Sequence, residues 1–176
     1  MAWFKDNLSN QKKCLAEQIE APISNLAKLC EYDWQSAARV TELLAQEFHQ
    51  VAHCLKLYAM NTDYIQIGAS IIQNEVDMDA NGFNHAAQPY ISGDLPFRGL
   101  VLTSAYTGYE SKPLITVIQA VNHTGHLLGF VAADFDLRDL PANTISANTI
   151  PSTGNNLKGI HQNGRLHFYK SESKVK

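Results

Sequence analysis

The sequence predicts an α+β fold in which long N-terminal helices pack on an antiparallel sheet, and three observations carry that prediction. Apolar residues from Leu8 to Val51 recur at spacings of three and four, the period of an amphipathic helix. From Cys54 onward the period drops to two, with Asn, Asp and Gly clustered between the runs, as in β-hairpins. Helices come first and hairpins after, instead of the alternation that builds a doubly wound parallel sheet.

The first helical run extends from about Asn7 to Cys30, with Leu8, Leu15, Ile19, Ile23, Leu26, Ala27, Leu29 and Cys30 as its apolar positions. Pro22 lies inside it and lacks the N–H that closes a helical turn, so a kink or a division into two shorter helices is expected. Asp33 is the expected cap of the next helix, which Ala37, Val40, Leu43, Leu44, Phe48 and Val51 carry to about His49. A stripe of this length suits either the core or a homodimer seam.

In CLKLYAM (Cys54–Met60) apolar residues alternate, Asn61-Thr62-Asp63 forms a turn, and Tyr64 to Ile67 alternates again, which describes a hairpin. Between Ser70 and Gly99 turn-forming residues are scattered, so a loop is expected, with one short helix around Ala86 to Ile91. Leu100 to Leu102 restarts a strand, and Thr107 to Pro113 is a further loop. The stretch Leu114 to Asp139, LITVIQAVNHTGHLLGFVAADFDLRD, is the centre of the chain: two apolar runs joined by Asn122-His123-Thr124-Gly125, a hairpin turn. Its returning run closes on Asp134, Asp136 and Asp139, and a carboxylate at the end of a buried strand needs donors from the protein or a cationic ligand. Asp136, with Arg138 and Asp139, is expected to fix the exit of the chain before Pro141. Residues 142–156, ANTISANTIPSTGNN, read as surface loop, and Arg165 to Tyr169 as a short strand before the tail, 171–176.

A chain of 176 residues, 45% hydrophobic, can bury a core without disulfide or metal staples, which points to a single domain. The net charge of -3, with no run of five Lys or Arg, argues against nucleic acid as a partner. Cys14, Cys30 and Cys54 are odd in number, which speaks against a disulfide framework and for a reducing compartment. No apolar run reaches the length of a membrane span or a signal segment, so a cytoplasmic protein is expected.

Chemistry-bearing motifs are sparse. Asp77, Asp79, Asn81 and Gly82 match the start of a calcium loop, but the twelfth position is Gln88 where a bidentate Glu belongs, and Pro89 obstructs the exiting helix. The segment is better read as turn chemistry. His49 and His53 are one helical turn apart without a third ligand, which suits a surface pair at a helix end. No phosphate loop, nucleophile elbow or C-x-x-C occurs, so no catalytic residue, metal or cofactor is expected. Asp134 could serve as a general base, but with no nucleophile beside it a ligand carboxylate or capping group is the simpler reading. What remains is a polar and aromatic set: Tyr90, Ser104, Tyr106, Thr116, Gln119 and Asp134. Aromatic walls around one carboxylate suit a small cation or amine, while the same groups would also serve as core hydrogen-bond partners.

The ordered strings YAMNTDYIQIGASI, QPY, LTSAYTG, KPLITVIQAV and GHLLGFVAADFDLRDLP, after a long helix, carry a resemblance over about Cys30 to Leu140. In these the chain resembles a PDC or Cache-type sensor domain, the PAS-like α+β module of bacterial signal transduction, in its free-standing form. The resemblance implies a sensor core over residues 54–170, with residues 1–53 as the helical segment of the same domain. It assigns Asp134 as the ligand-facing carboxylate and Tyr90 and Tyr106 as pocket lining. Relatives that bind amino acids hold the ligand carboxylate with Arg and Trp; this chain offers Phe83, Gln88, Pro89 and Tyr90 there, with Arg98 as the nearest later cation. The function implied is non-enzymatic sensing of a small molecule, an amine, amino acid or small carboxylate, with homodimerisation through the N-terminal helix. The alternative is a protein-interaction or dimerisation module whose pocket is vestigial.

Overall fold

The computed structural model describes residues 2–73, 75–91, 95, 97–140, 157–162 and 165–170, with side chains described between Leu8 and Leu140. The chain forms two compact units, residues 1–143 and 144–176. In the first, helices α1 (Ala2–Asp33) and α2 (Ala37–Glu47) precede strands β1 (Lys56–Asn61), β2 (Gln66–Ile72), β3 (Glu75–Asp77), β4 (Leu100–Leu102), β5 (Tyr106–Thr107), β6 (Pro113–His123) and β7 (His126–Asp136). These make one seven-stranded sheet in the order β3-β2-β1-β7-β6-β4, with β5 also on β6. Every pairing in it is antiparallel. The fold is the α+β arrangement read from the order of periodicities.

Pro22 neither divides nor ends the first helix, and α1 runs unbroken to Asp33. The reason lies in packing: Leu15, Ile19, Ile23, Leu26 and Cys30 form a fully buried row along one face. Such burials, roughly 1.5–3 kcal/mol each, outweigh the ~3 kcal/mol that a proline costs inside a helix. Asp33 is therefore the last residue of α1 and not a cap. Ser36 takes that role, its side chain accepting from the Arg39 N–H at 3.4 Å, while Asp33 pairs with the Arg39 guanidinium at 3.7 Å. Between the helices, Trp34 Nε1–H donates to the Leu128 carbonyl at 3.0 Å and pins the junction to the central hairpin. Gly129 makes room for it, since a Cβ there would stand 2.6 Å from Trp34 Cζ2 and 2.3 Å from the Met60 carbonyl oxygen.

The middle segment is more ordered than its composition suggests. β2 continues to Ile72, and β3 pairs back on it through Ser70↔Asp77 and Ile72↔Glu75. The short helix expected around Ala86 to Ile91 is replaced by turns, because Asn84 Oδ1 captures the Ala86 N–H at 2.9 Å and Pro89 offers no donor. One turn of 3₁₀ helix stands earlier, at Met78–Ala80, with the Asp77 carboxylate accepting from Asp79 N–H. Asn81, read as a turn residue, accepts from the Gly68 N–H at 2.8 Å and ties the segment to β2. Gly68 holds φ +71° there, and a Cβ would meet Thr41 Oγ1 at 2.3 Å. Part of the expected loop at Thr107 to Pro113 is a tight turn at Tyr109–Ser111, where Glu110 and Ser111 hold φ of +54° and +57°, and β5 pairs with the start of β6.

The central hairpin stands as read, with β6 and β7 paired from Leu114↔Asp136 to His123↔His126 around Thr124-Gly125. Asp136 sits at the end of β7, where its carboxylate accepts from both the backbone N–H and Nε of Arg138 at 2.9 Å, fixing the chain's exit. In the second unit, β8 (Leu157–Gln162) pairs antiparallel with β9 (Arg165–Lys170), so the closing strand has a partner that its sequence did not announce. Residues 142–156, read as surface loop, and the tail 171–176 lie outside the described residues.

Alternation sorts the sheet into two faces. Leu57, Ala59, Val117, Val121, Val131, Ala133 and Phe135 meet the helices. Tyr58, Met60, Ile118, Ala120, Phe130 and Ala132 form a second apolar cluster on the other face, with Tyr90 from the middle segment.

Candidate functional site

Asp134 lies on this second face, near the end of β7, between Lys56 of β1 and Thr116 of β6 in direct cross-strand register. It is 4% exposed. Thr116 Oγ1 donates to its Oδ1 at 2.7 Å, and Tyr58 OH donates to the same oxygen at 3.4 Å. Thr116 has one proton and gives it to the carboxylate, so the Tyr106 hydroxyl, 2.7 Å from Thr116 Oγ1, must donate to Thr116. A directed chain of Tyr106 to Thr116 to Asp134 results. Among the described residues Oδ2 has no hydrogen-bond donor, so half of the carboxylate's accepting capacity remains for another group. Burial pushes the Asp134 acid up to about 6, against the opposing pull of Thr116, Lys56 and Tyr58. A buried anion that lacks donors on one oxygen is poised for a cationic or N–H-bearing partner.

A second chain of hydrogen bonds builds the neighbouring wall. His85, 2% exposed, lies between Gln66 and Tyr90. Gln66 Nε2 donates to the Ser70 hydroxyl at 2.9 Å and the Gly68 carbonyl at 3.3 Å, so its Oε1 is the atom facing His85 Nε2 at 3.0 Å. That nitrogen therefore carries the proton, and Tyr90 OH donates to Nδ1 at 2.6 Å. Burial and the charge of Lys56 hold the imidazole neutral, with its pKa pulled down to about 4. The neutral ring stacks on Tyr58, centroids 4.8 Å apart at 12°, and Tyr90 leans on Tyr106 at 5.4 Å. Desolvation raises the phenols of Tyr58, Tyr90 and Tyr106, with Asp134 adding to the rise, so all three stay protonated donors. The box of three tyrosines and a histidine is a neutral aromatic frame around a single carboxylate.

Of the residues singled out in the sequence, Tyr90, Tyr106, Thr116 and Asp134 come together here. Arg98 and Ser104 are exposed. Gln119 is buried on the opposite face, where it donates to its neighbour's carbonyl, Ala120, at 3.1 Å and lines a shallow groove against Ser24, Lys28 and Glu31 of α1. Its odd separation of three from Thr116 already places it there. Tyr58, Lys56, His85, Gln66 and Ser70 were not singled out by the sequence. The β1–β7 pairing that brings Lys56 and Tyr58 to Asp134 joins strands separated by most of the domain, and His85 sits in a segment whose composition signals only turns.

The histidine pair His49 and His53 is exposed beyond α2, His49 in the 3₁₀ turn Phe48–Gln50 and His53 just after it. Among the described residues no cluster of three or more His, Cys, Asp or Glu is arranged to hold a metal. Among the described residues no helix is long and apolar enough to cross a membrane.

No protein-family model and no curated protein matches the chain. Solved structures do. Over 76% of its length the chain superposes on the ligand-binding domain of the Pseudomonas fluorescens chemoreceptor CtaA in complex with L-isoleucine, at 20% identity and a TM-score of 0.52, spanning 53% of that chain. It superposes on the extracellular domain of the histidine kinase mmHK1S-Z2 at 15% identity and a TM-score of 0.53, covering 76% of this chain and 59% of that one. An extracellular ligand-binding receptor from Desulfohalobium retbaense is similar at 12% identity and a TM-score of 0.52, with 76% of this chain covering 25% of its own. The chain thus spans between a quarter and about three-fifths of these proteins. What they share with it is the fold, an N-terminal helix followed by an antiparallel sheet, consistent with a PAS-like arrangement.

Proposed function

We propose that this chain is a non-enzymatic sensor domain of signal transduction that binds a small molecule on the sheet face opposite its helices, with Asp134 as the principal contact. The observation that carries the reading is the state of that carboxylate: Oδ1 is clamped by Thr116 and Tyr58, Oδ2 is left without a donor among the described residues, and three tyrosines frame it. A protonated amine meets such a site well, since it supplies N–H donors to Oδ2 and a cationic face to the rings. Solved neighbours of the same fold include one chemoreceptor domain, that of CtaA, in complex with L-isoleucine and in complex with L-alanine, which favours small amines and amino acids as the first ligands to test.

The proposal extends to the expected cytoplasmic, bacterial setting and to pairing through α1. Support for pairing comes from Leu29 and Tyr32, exposed and one turn apart on that helix. Light scattering would report the oligomeric state, and a monomer unaffected by Tyr32→Glu would dismiss that part alone.

Thermal shift against a panel of amines, amino acids and small carboxylates tests the central reading. At least one compound is expected to raise the midpoint of wild type and not of Asp134→Ala. Equal stabilisation of both proteins, or of neither, would reject it.

A further inference from the structure

We propose that Lys12 is a positioning residue of this site: from α1 it holds a bulge between β4 and β5, and that bulge turns Tyr106 toward Thr116 and Asp134. The inference rests on the Asp134 reading and deepens it, since Tyr106 heads the directed chain that ends on that carboxylate.

β4 and β5 both pair with β6, but in registers one residue apart. β4 runs from Leu100↔Gln119 to Leu102↔Val117, a register that would set Tyr106 opposite Pro113. Tyr106 stands opposite Leu114 instead, and Thr107 takes the place opposite Pro113. Between the two pairings Thr103, Ser104 and Ala105 are matched by Ile115 and Thr116 alone, so one residue is extra and the strand bulges. Ser104 and Ala105 are exposed there. Directly opposed residues share a face, and a slip of one residue changes the face. Pro113 has the parity of Val117, which packs toward the helices, whereas Leu114 has the parity of Thr116. Without the bulge Tyr106 would point away from the site. With it, the ring leans on Tyr90 and the hydroxyl reaches Thr116.

The bulge is held by an exchange of acceptors. In an unbroken ladder Thr103 and Thr116 would exchange both backbone hydrogen bonds. Thr103 N–H does donate to the Thr116 carbonyl, at 3.0 Å, but Thr116 N–H donates to Thr103 Oγ1 at 3.1 Å. The carbonyl of Thr103 is thereby released, and it accepts from Lys12 Nζ at 3.0 Å. Lys12 stands in an apolar register, since it precedes the buried Leu15, Ile19 and Ile23 along one face of α1. It is half-buried, and among the described residues no carboxylate pairs with it. A lysine in that row costs desolvation, which its bond to the carbonyl offsets. Loss of the donor returns the carbonyl to Thr116 N–H, extends the β4 ladder in its own register and draws Tyr106 out of the aromatic box.

The test follows the contacts of the Tyr106 ring by NOE spectroscopy on the full chain without ligand. Wild type is compared with Lys12→Met and with Lys12→Met from which Ala105 is also deleted. Met keeps the helix propensity and the aliphatic stem and removes the donor. Wild type is expected to show cross-peaks from Tyr106 to the Tyr90 ring and the Thr116 methyl, and in Lys12→Met these fall by about half or more. Deleting Ala105 removes the extra residue and sets the tyrosine opposite Leu114 in the β4 register, so the cross-peaks return although the lysine is absent. A general loss of stability would leave the cross-peaks of the folded protein unchanged. Wild-type intensities in Lys12→Met, or a loss that deletion of Ala105 does not restore, would overturn the proposal. Should Lys12→Met fail to fold, the doubly altered chain must fold and show the contacts; if it is equally unfolded the proposal falls. No ligand is present, so the two readings fail separately. Unmoved Tyr106 contacts remove Lys12 and leave Asp134 as the proposed contact, while a ligand that stabilises wild type and Asp134→Ala alike removes the ligand reading and leaves the bulge in place.

Discussion

Asp134 determines how the site responds to pH. Its acid is raised from 3.8 to about 6, so the native state binds this proton more tightly than the unfolded chain. The stability it contributes is complete below pH 3.8 and is lost as pH rises through about 6. His85 works in the opposite sense. Its pKa is lowered from 6.5 to about 4, so its contribution is complete above pH 6.5 and is lost as pH falls through about 4. The groups that face Asp134 and shape this balance are Lys56, Cys54, Tyr58, Tyr90 and Tyr106. Asp134→Asn keeps an acceptor for Thr116 and Tyr58 and removes the buried charge. It is predicted to melt above wild type at pH 8, by up to roughly 3 kcal/mol, with the difference gone by pH 4; calorimetry across that range checks it. Thr116→Val breaks the directed chain and leaves both Tyr106 OH and Asp134 Oδ1 short of a partner. A loss of roughly 1–3 kcal/mol in urea unfolding is expected at pH 8, falling as Asp134 takes up its proton.

At the scale of elements, long periodic runs were legible and pairings across the chain were not. The central hairpin could be read because its two apolar runs flank a turn cluster in sequence, from Ile115 to Ala133. Pro22 misled because its cost is local while the buried row Leu15, Ile19 and Ile23 that outweighs it is tertiary. The site was legible in part for the same reason. Thr116 and Asp134 lie within the hairpin, whereas Tyr58 reaches it through a β1–β7 pairing, and His85 arrives on a segment rich in turn formers. Gln119 was a parity error, since a residue three positions from Thr116 faces the helices. The junction of helices and hairpin depends on Gly129. Gly129→Ala drives a methyl into Trp34 and the Met60 carbonyl and is predicted to cost roughly 1–3 kcal/mol by overpacking. Gly125→Ala, at the open tip of the same hairpin with φ +86°, meets nothing within 4 Å and should cost only the roughly 1–2 kcal/mol of its left-handed backbone. Paired unfolding curves, read for the loss of the Trp34 fluorescence change as well as the midpoint, separate the two.

Across the first unit as a whole, one sheet separates the helices from the site, and its central strands serve both sides. In β1, Leu57 and Ala59 pack toward the helices while Tyr58 and Lys56 face Asp134; in β7, Ala133 and Phe135 pack toward the helices while Asp134 faces the site. On the proposed reading, a ligand that tightens Tyr58 and Asp134 acts on β1 and β7, strands that also touch α2 and α1, while the helices rest mainly on β2 and β6. Hydrogen exchange should reflect this layering: the slowest amides belong to β1, β7 and β6 in the middle of the sheet, and those of the edge strands β3 and β4 exchange sooner. Slow exchange confined to the helices would contradict it.

The most direct test of the account is the titration of the Asp134 side-chain carboxyl by carbon-13 NMR, with and without the amine or amino acid that stabilises the protein most. Without ligand its midpoint should lie near pH 6. A cationic group bound at Oδ2 must favour the ionised form, so saturating ligand is predicted to move that midpoint down by a unit or more, roughly the tenfold linkage of one charge-assisted hydrogen bond. A midpoint that stays in place while the ligand is bound would show that the ligand sits elsewhere.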